Sequence, residues 1–150
     1  MEQATSTVTD STNTSLFDPD QLAIWDAQKA MYSSFLKGDS SEIDNHIHAK
    51  ATVWDAVTEK LARGIDDLNE IRATRPVGAS KPVVTRMEVS EPVIDVSGTL
   101  AVSRHFLRVD TTNSDGSNRE LMRVSQGWRQ VEGKWLIIHA HEDLFSIEER

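Results

Sequence analysis

The sequence predicts an α+β domain in which a curved antiparallel sheet wraps a long N-terminal helix, with two further short helices. Three observations carry that prediction: a fully signposted helix opening at Asp18, a switch to period-two alternation from Val83 onward, and two strands joined by Glu132-Gly133-Lys134 near the C-terminus.

The helix is the plainest element. Asp18 suits the N-cap, Pro19 the first helical position, and Gln21 completes a capping box, with Phe17 and Leu22 placed as a hydrophobic staple. The helix runs to Lys37 and stops at Gly38, a natural left-handed cap. Ile24, Met31 and Phe35 fall together on a helical projection, beside Trp25, Tyr32 and Leu36. That arc is wider than a surface stripe, so a curved sheet should embrace it. A short helix is expected over Asp39–His48, a strand over Ala51–Val57, and a third helix over Ile65–Thr74, ended by Pro76 and Gly78.

Strands are expected at Val83–Ser90, Val93–Ser97, Thr99–Val109, Arg119–Val131 and Lys134–Phe145. Pro92 marks an edge or bulge in the first pair, and Ser97-Gly98 and Asp115-Gly116 are turn signals. Both faces of the last strands are part apolar. A homodimer covering one face is therefore expected. Residues 1–16, dominated by Ser and Thr, read as a flexible and dispensable tail, residues 17–146 as a single domain, and residues 147–150 as a C-terminal tail.

Composition narrows the function classes. A net charge of −8, from 16 basic and 24 acidic residues, repels phosphate backbones, and no basic stripe offsets it, so no nucleic-acid partner is expected. The chain has no cysteine, which excludes thiol catalysis and thiolate metal sites and agrees with a reducing, cytoplasmic location. No signal peptide is visible, and no apolar run is long enough to span a membrane. No phosphate-cradling glycine loop or dinucleotide fingerprint is present, so no cofactor is expected.

The order of capped helix, short helix after Gly38-Asp39, Trp54-bearing strand, helix after Gly64, and a meander ending in Arg123-x-Ser125…Trp128…Glu132-Gly133-Lys134-Trp135…His139-x-His141 resembles the nuclear transport factor 2-like superfamily, in its SnoaL-like branch. It is also similar to the association (hub) domain of calcium/calmodulin-dependent kinase II. The likeness covers about Asp18 to Phe145. It implies a cone-shaped fold, usually dimeric, with a pocket between the first helix and the sheet. Members include isomerases, lyases, epoxide hydrolases, polyketide cyclases and non-catalytic assembly domains, so the fold does not supply the function. In the hub domain several pocket arginines hold carboxylates; one matches Arg108 here, or Arg104 if the strand slips, while two others fall on Gln126 and Glu142. The family also uses the histidines, with Arg123 and Ser125, mostly as a structural cluster on the sheet.

The expected ligand is a small organic molecule in a pocket lined by Tyr32, Trp54, Leu68, Arg108 and Gln126, with Glu142 as general base and Arg104 as oxyanion partner. The competing reading is a binding or dimerisation module in which these charges are rim or interface ion pairs and the aromatics are core. Arg123, His139 and His141 form an alternative polar cluster; no third ligand accompanies the two histidines, so no metal is expected. Gln126 and Glu142 share a face if the turn at Gly133 is bulged. A plain two-residue turn would instead place Gln126 with His139 and Arg123 with Glu142. The resemblance, which places pocket residues at both positions, selects the bulged turn.

Overall fold

The computed structural model describes residues 3–75 and 81–149. Helix α1 spans Pro19–Lys37, with Asp18 and Gln21 closing a reciprocal capping box and Gly38 ending it at φ 76°. Helix α2 is Ser40–Asp44 and helix α3 is Gly64–Ala73. The strands are β1 (Thr9–Asp10), β2 (Ile47–Trp54), β3 (Ala62–Arg63), β4 (Val83–Ser97), β5 (Leu100–Asn113), β6 (Gly116–Val131) and β7 (Lys134–Glu149). Together they form a seven-stranded sheet in the order β1-β4-β5-β6-β7-β2-β3.

Strands β4 to β7 are successive antiparallel hairpins, as the alternation predicts. The sheet as a whole is mixed, because β1 joins β4 and β2 joins β7 in parallel. Local periodicity reports neither join, since both pair segments distant in sequence.

Three expected boundaries move for tertiary reasons. The second helix stops at Asp44 instead of His48, because the next residues leave to pair with β7, His46 accepting the Ile137 N–H at 2.8 Å. The strand expected over Ala51–Val57 accordingly starts at Ile47, and it ends at Trp54 where the Asp55 carboxylate takes the Val57 N–H at 3.1 Å. The residues expected as a C-terminal tail continue β7, with Ile147 paired to Glu120 and Glu149 to Asn118. Pro76 and Gly78 lie outside the described residues.

Residues 3–16, expected as a flexible tail, are docked. Thr5 donates its N–H to the Val84 carbonyl at 2.8 Å, Val8 packs on the core, and Thr9–Asp10 pairs with Glu88–Val89. Composition reports the sparse apolar content of this segment but not its half-buried carboxylate, Asp10.

Bulges set which side chains face α1. In β4, Met87 and Val89 are buried, then Glu91 at φ 53° interrupts the ladder and the buried set changes parity to Ile94. In β7, Trp135 and Ile137 are buried, Ile138 is left unpaired opposite the Gly127–Trp128 step, and parity changes to Ala140 and Glu142. The inner face of the sheet then carries Val89, Ile94, Ala101, Leu107, Val109, Val124, Trp128 and Ile137 against Ile24, Trp25, Met31 and Tyr32 of α1.

Candidate functional site

The inner face holds several polar residues among these apolar ones. Along β5, alternation directs Ala101, Ser103, His105, Leu107 and Val109 inward, all buried. Cross-strand pairing sets Ser103 opposite Gln126 and His105 opposite Val124, which itself lies opposite Glu142. Trp128 donates its indole N–H to Ser103 Oγ at 2.8 Å, and Ser103 donates to Gln126 Oε1 at 3.3 Å. Gln126 is thereby committed to the sheet's own network.

His105 is 4% exposed. Its ring stands edge-on between Trp25 and Tyr32, with centroids 5.4 and 5.7 Å away, and its Nε2 lies 2.7 Å from the Tyr32 hydroxyl. Burial, with no charged partner, lowers its pKa to about 4, so the imidazole is neutral at physiological pH. Burial likewise raises the Tyr32 pKa well above the usual phenol value; the negative charge of Glu142 adds to the rise, and a hydrogen bond with Gln28 opposes it. One proton therefore stays in the Tyr32–His105 bond.

Glu142 is the titratable group of the site. Burial and the neighbouring Asp55 carboxylate raise its pKa to about 7, with Arg75 pulling the other way. It is nonetheless partly accessible. The carboxyl is thus a partly accessible group on the inner face. Arg75 faces Asp55 at 3.8 Å and rests over the ring of Phe35 on α1. Chemically, the inner face offers a carboxyl half-ionised near pH 7 within electrostatic reach of a neutral phenol.

The expected site residues divide between the two faces. Tyr32, Gln126 and Glu142 are on the inner face. The last two share it although the turn is a plain two-residue one, Val131 pairing with Lys134 across Glu132 and Gly133 at φ 51° and 80°. The bulge opposite Ile138 supplies the change of parity that was expected at Gly133. Arg104 and Arg108 are on the outer face, away from Tyr32 and Glu142, and Arg108 lines an outer groove instead. Arg104 pairs with Asp95, and Arg108 binds Asp110 through two hydrogen bonds of 3.0 and 2.8 Å. The hub-domain resemblance implies a pocket arginine at one of these positions; here the buried run of β5 is Ala101, Ser103, His105, Leu107 and Val109. Trp54 is also on the outer face, 43% exposed and edge-on against His139 and His141. Leu68 is half-buried on α3, which packs on β2.

The alternative cluster does assemble, on the outer face. Arg123, Ser125, His141 and Asp143 line a shallow groove of about 230 Å³, Arg123 is bound to Asp143, and His139 Nδ1 lies 2.7 Å from Thr52 Oγ1. A second outer groove of about 430 Å³ runs past Glu88, Phe106, Arg108 and Phe145. Among the described residues, no set of three His, Asp or Glu side chains is arranged to hold a metal ion. Sequence reading missed His105, Asp55 and Arg75. Only His105 had a local signal, its parity with Ser103 and Leu107.

A long helix packed against the inner face of a bulged sheet, with polar groups on that face, is a known architecture. The chain has the nuclear transport factor 2-like fold. Solved structures that share it include a scytalone dehydratase-like protein from Novosphingobium aromaticivorans DSM 12444, at TM-score 0.72 and 15% identity over 87% of each chain. The CaMKII hub of S. rosetta matches at TM-score 0.70 and 16% identity, over 83% of this chain and 95% of that one. A nuclear transport factor 2-like protein from Cytophaga hutchinsonii ATCC 33406 matches at 0.66 and 12%, over 86% and 100%. At such identities the likeness is one of fold. No protein-family model and no curated protein matches the sequence. No helix among the described residues is long and apolar enough to cross a membrane.

Proposed function

We propose that this nuclear transport factor 2-like chain, of the SnoaL-like kind, binds a small organic molecule in the inner cleft and carries out cofactor-free acid–base chemistry on it in the cytoplasm. The observation that carries the reading is Glu142, held at a pKa of about 7 by burial and Asp55 while still open to solvent. In this reading Glu142 takes a proton from the ligand and returns it elsewhere, the pattern of an isomerase or lyase. With the neutral His105 donating from Nε2 to the Tyr32 oxygen, the Tyr32 hydroxyl, kept neutral by burial, keeps its own proton to donate to the oxygen on which charge develops. The scytalone dehydratase-like neighbour supports a small-molecule role by analogy of fold.

A thermal-shift screen of small organic compounds against wild type, Glu142→Gln and Tyr32→Phe tests the reading. Compounds that stabilise wild type should lose most of that effect in both variants. Hits that stabilise all three alike bind elsewhere and overturn it.

A second reading, assembly, is favoured by the outer face. Phe106, Phe145 and Ile147 are 39%, 46% and 54% exposed, an apolar area suited to a second copy of the chain. The CaMKII hub neighbours support it by the same analogy. Phe106→Glu should turn a homodimer into a monomer in sedimentation while leaving the inner-face spectra unchanged. A wild-type chain sedimenting as a monomer at micromolar concentration would sink it.

A further inference from the structure

We propose that the N-terminal segment is a working part of the inner site, with Asp10 as its positioning residue: Asp10 holds Trp25, and Trp25 holds His105 against Tyr32. The inference rests on the Tyr32–Glu142 region being the functional site and adds to it the N-terminal segment, which joins the sheet at its edge through β1.

The contacts form a continuous series. Asp10 sits in β1 with its side chain 10% accessible, and its carboxylate accepts the Trp25 indole N–H at 2.9 Å, the Thr12 backbone N–H at 3.0 Å and an ion pair from Lys29 at 3.1 Å. Burial pushes this carboxyl up, but the hydrogen bonds from Thr12, Lys29 and Trp25 together hold it below its ordinary value. The indole thus meets a full negative charge, and a charge-assisted bond of this kind is the stronger sort. Trp25 is 1% exposed, and its ring meets His105 edge-on at 72°.

His105 needs that wall. Among the described residues, its ring is hydrogen-bonded only between Nε2 and the Tyr32 hydroxyl, and Nδ1 is buried without a partner. A ring with one polar anchor is free to turn about it unless packing prevents rotation. Here Tyr32 closes one side and Trp25 the other. The orientation of Trp25 is set in turn by the acceptor at its N–H. That acceptor is brought by a segment attached to the sheet mainly through a two-residue parallel ladder and Val8. The segment is therefore the least firmly held link in the series, and its release acts first on His105 and then on the Tyr32 hydroxyl.

The test follows the His105 imidazole by nitrogen NMR during a pH titration, in the full chain and in four variants. Asp10→Ala, and a chain beginning at Asn13, should raise the His105 pKa by about one unit or more above its value of about 4, as the ring gains water and mobility. Trp25→Phe, which keeps a ring but loses the N–H, should move it in the same direction. Lys29→Ala removes the ion pair but leaves the Asp10–Trp25 bond, and should move it far less. Should the shortened chain fail to fold, Asp10→Ala and Trp25→Phe decide. A folded Asp10→Ala protein with His105 titrating as in wild type overturns the proposal, even if its melting temperature falls. The readout does not involve Glu142, so an acid–base reading that fails in the ligand screen is distinguishable from a failure here.

Discussion

Strand β5 carries two chemistries on its two faces. Inward, Ser103 and His105 are buried, neutral and bound to Gln126, Trp128 and Tyr32 from other elements. Outward, Arg104 and Arg108 are charged and neutralised by nearby carboxylates, Asp95 on the adjoining strand and Asp110 two residues along. Burial penalises free charge, so the His105 imidazole stays neutral and the Glu142 pKa is raised, while Ser103 and Gln126 are bound across strands. A solvated side tolerates full charges, whose pairing contributes little to stability. Function that depends on a shifted pKa is therefore confined to the inner side.

The strongest challenge to this contrast is truncation. Trp128→Ala should cost about 3–5 kcal/mol in denaturant unfolding, because it leaves a cavity beneath α1 and strands Ser103 and Gln126. Phe106→Ala on the outer face should cost less than about 1 kcal/mol. Equal losses would mean that the outer face is buried too, against a second copy.

Next in size is a pair of opposed pH effects. The Glu142 pKa is raised from 4.5 to about 7, so between these values the folded state holds a proton that the unfolded state has lost, and stability falls as pH rises. The His105 pKa is lowered from 6.5 to about 4, so in nearly the same window the unfolded state holds the extra proton, and stability rises with pH. Each is worth roughly 2–3 kcal/mol across about pH 4.5–6.5, and they offset one another. Wild type should show a nearly flat profile there. Glu142→Gln should unmask a rise with pH, and His105→Gln a fall. A Glu142→Gln profile parallel to wild type would show that Glu142 titrates like a surface carboxyl. The smallest effect expected is from Arg104→Ala, an exposed pair whose loss should not move the melting temperature measurably at moderate salt.

Elements whose signals are local were legible. The α1 cap residues Asp18, Gln21 and Gly38 act through neighbours three or four positions away, and the alternation in β5 and β6 reports burial directly. The site was legible only in part. Tyr32 and Glu142 are recognisable as candidates, but Arg104, expected in the pocket from the hub-domain resemblance, lies on the outer face, because a likeness in element order does not fix a strand's register. Asp55 and Arg75 carried no local signal: Asp55 matters through its charge on Glu142, and the two residues follow the C-terminal ends of different elements, β2 and α3.

By itself, then, the sequence determined the long capped helix, the meander of β4 to β7 and the acidic, cysteine-free character of the chain, all properties set by near neighbours and composition. Only the tertiary structure decided the parallel joins of β1 and β2, the docking of the N-terminal segment, and the parity that turns Glu142 inward through the bulge at Gly127–Trp128. The raised pKa of Glu142 belongs to this second group. It comes from enclosure by other elements and from a carboxylate 87 positions away in the chain, Asp55. Desolvation and Coulomb repulsion depend on distance in space, which near-neighbour patterns do not encode.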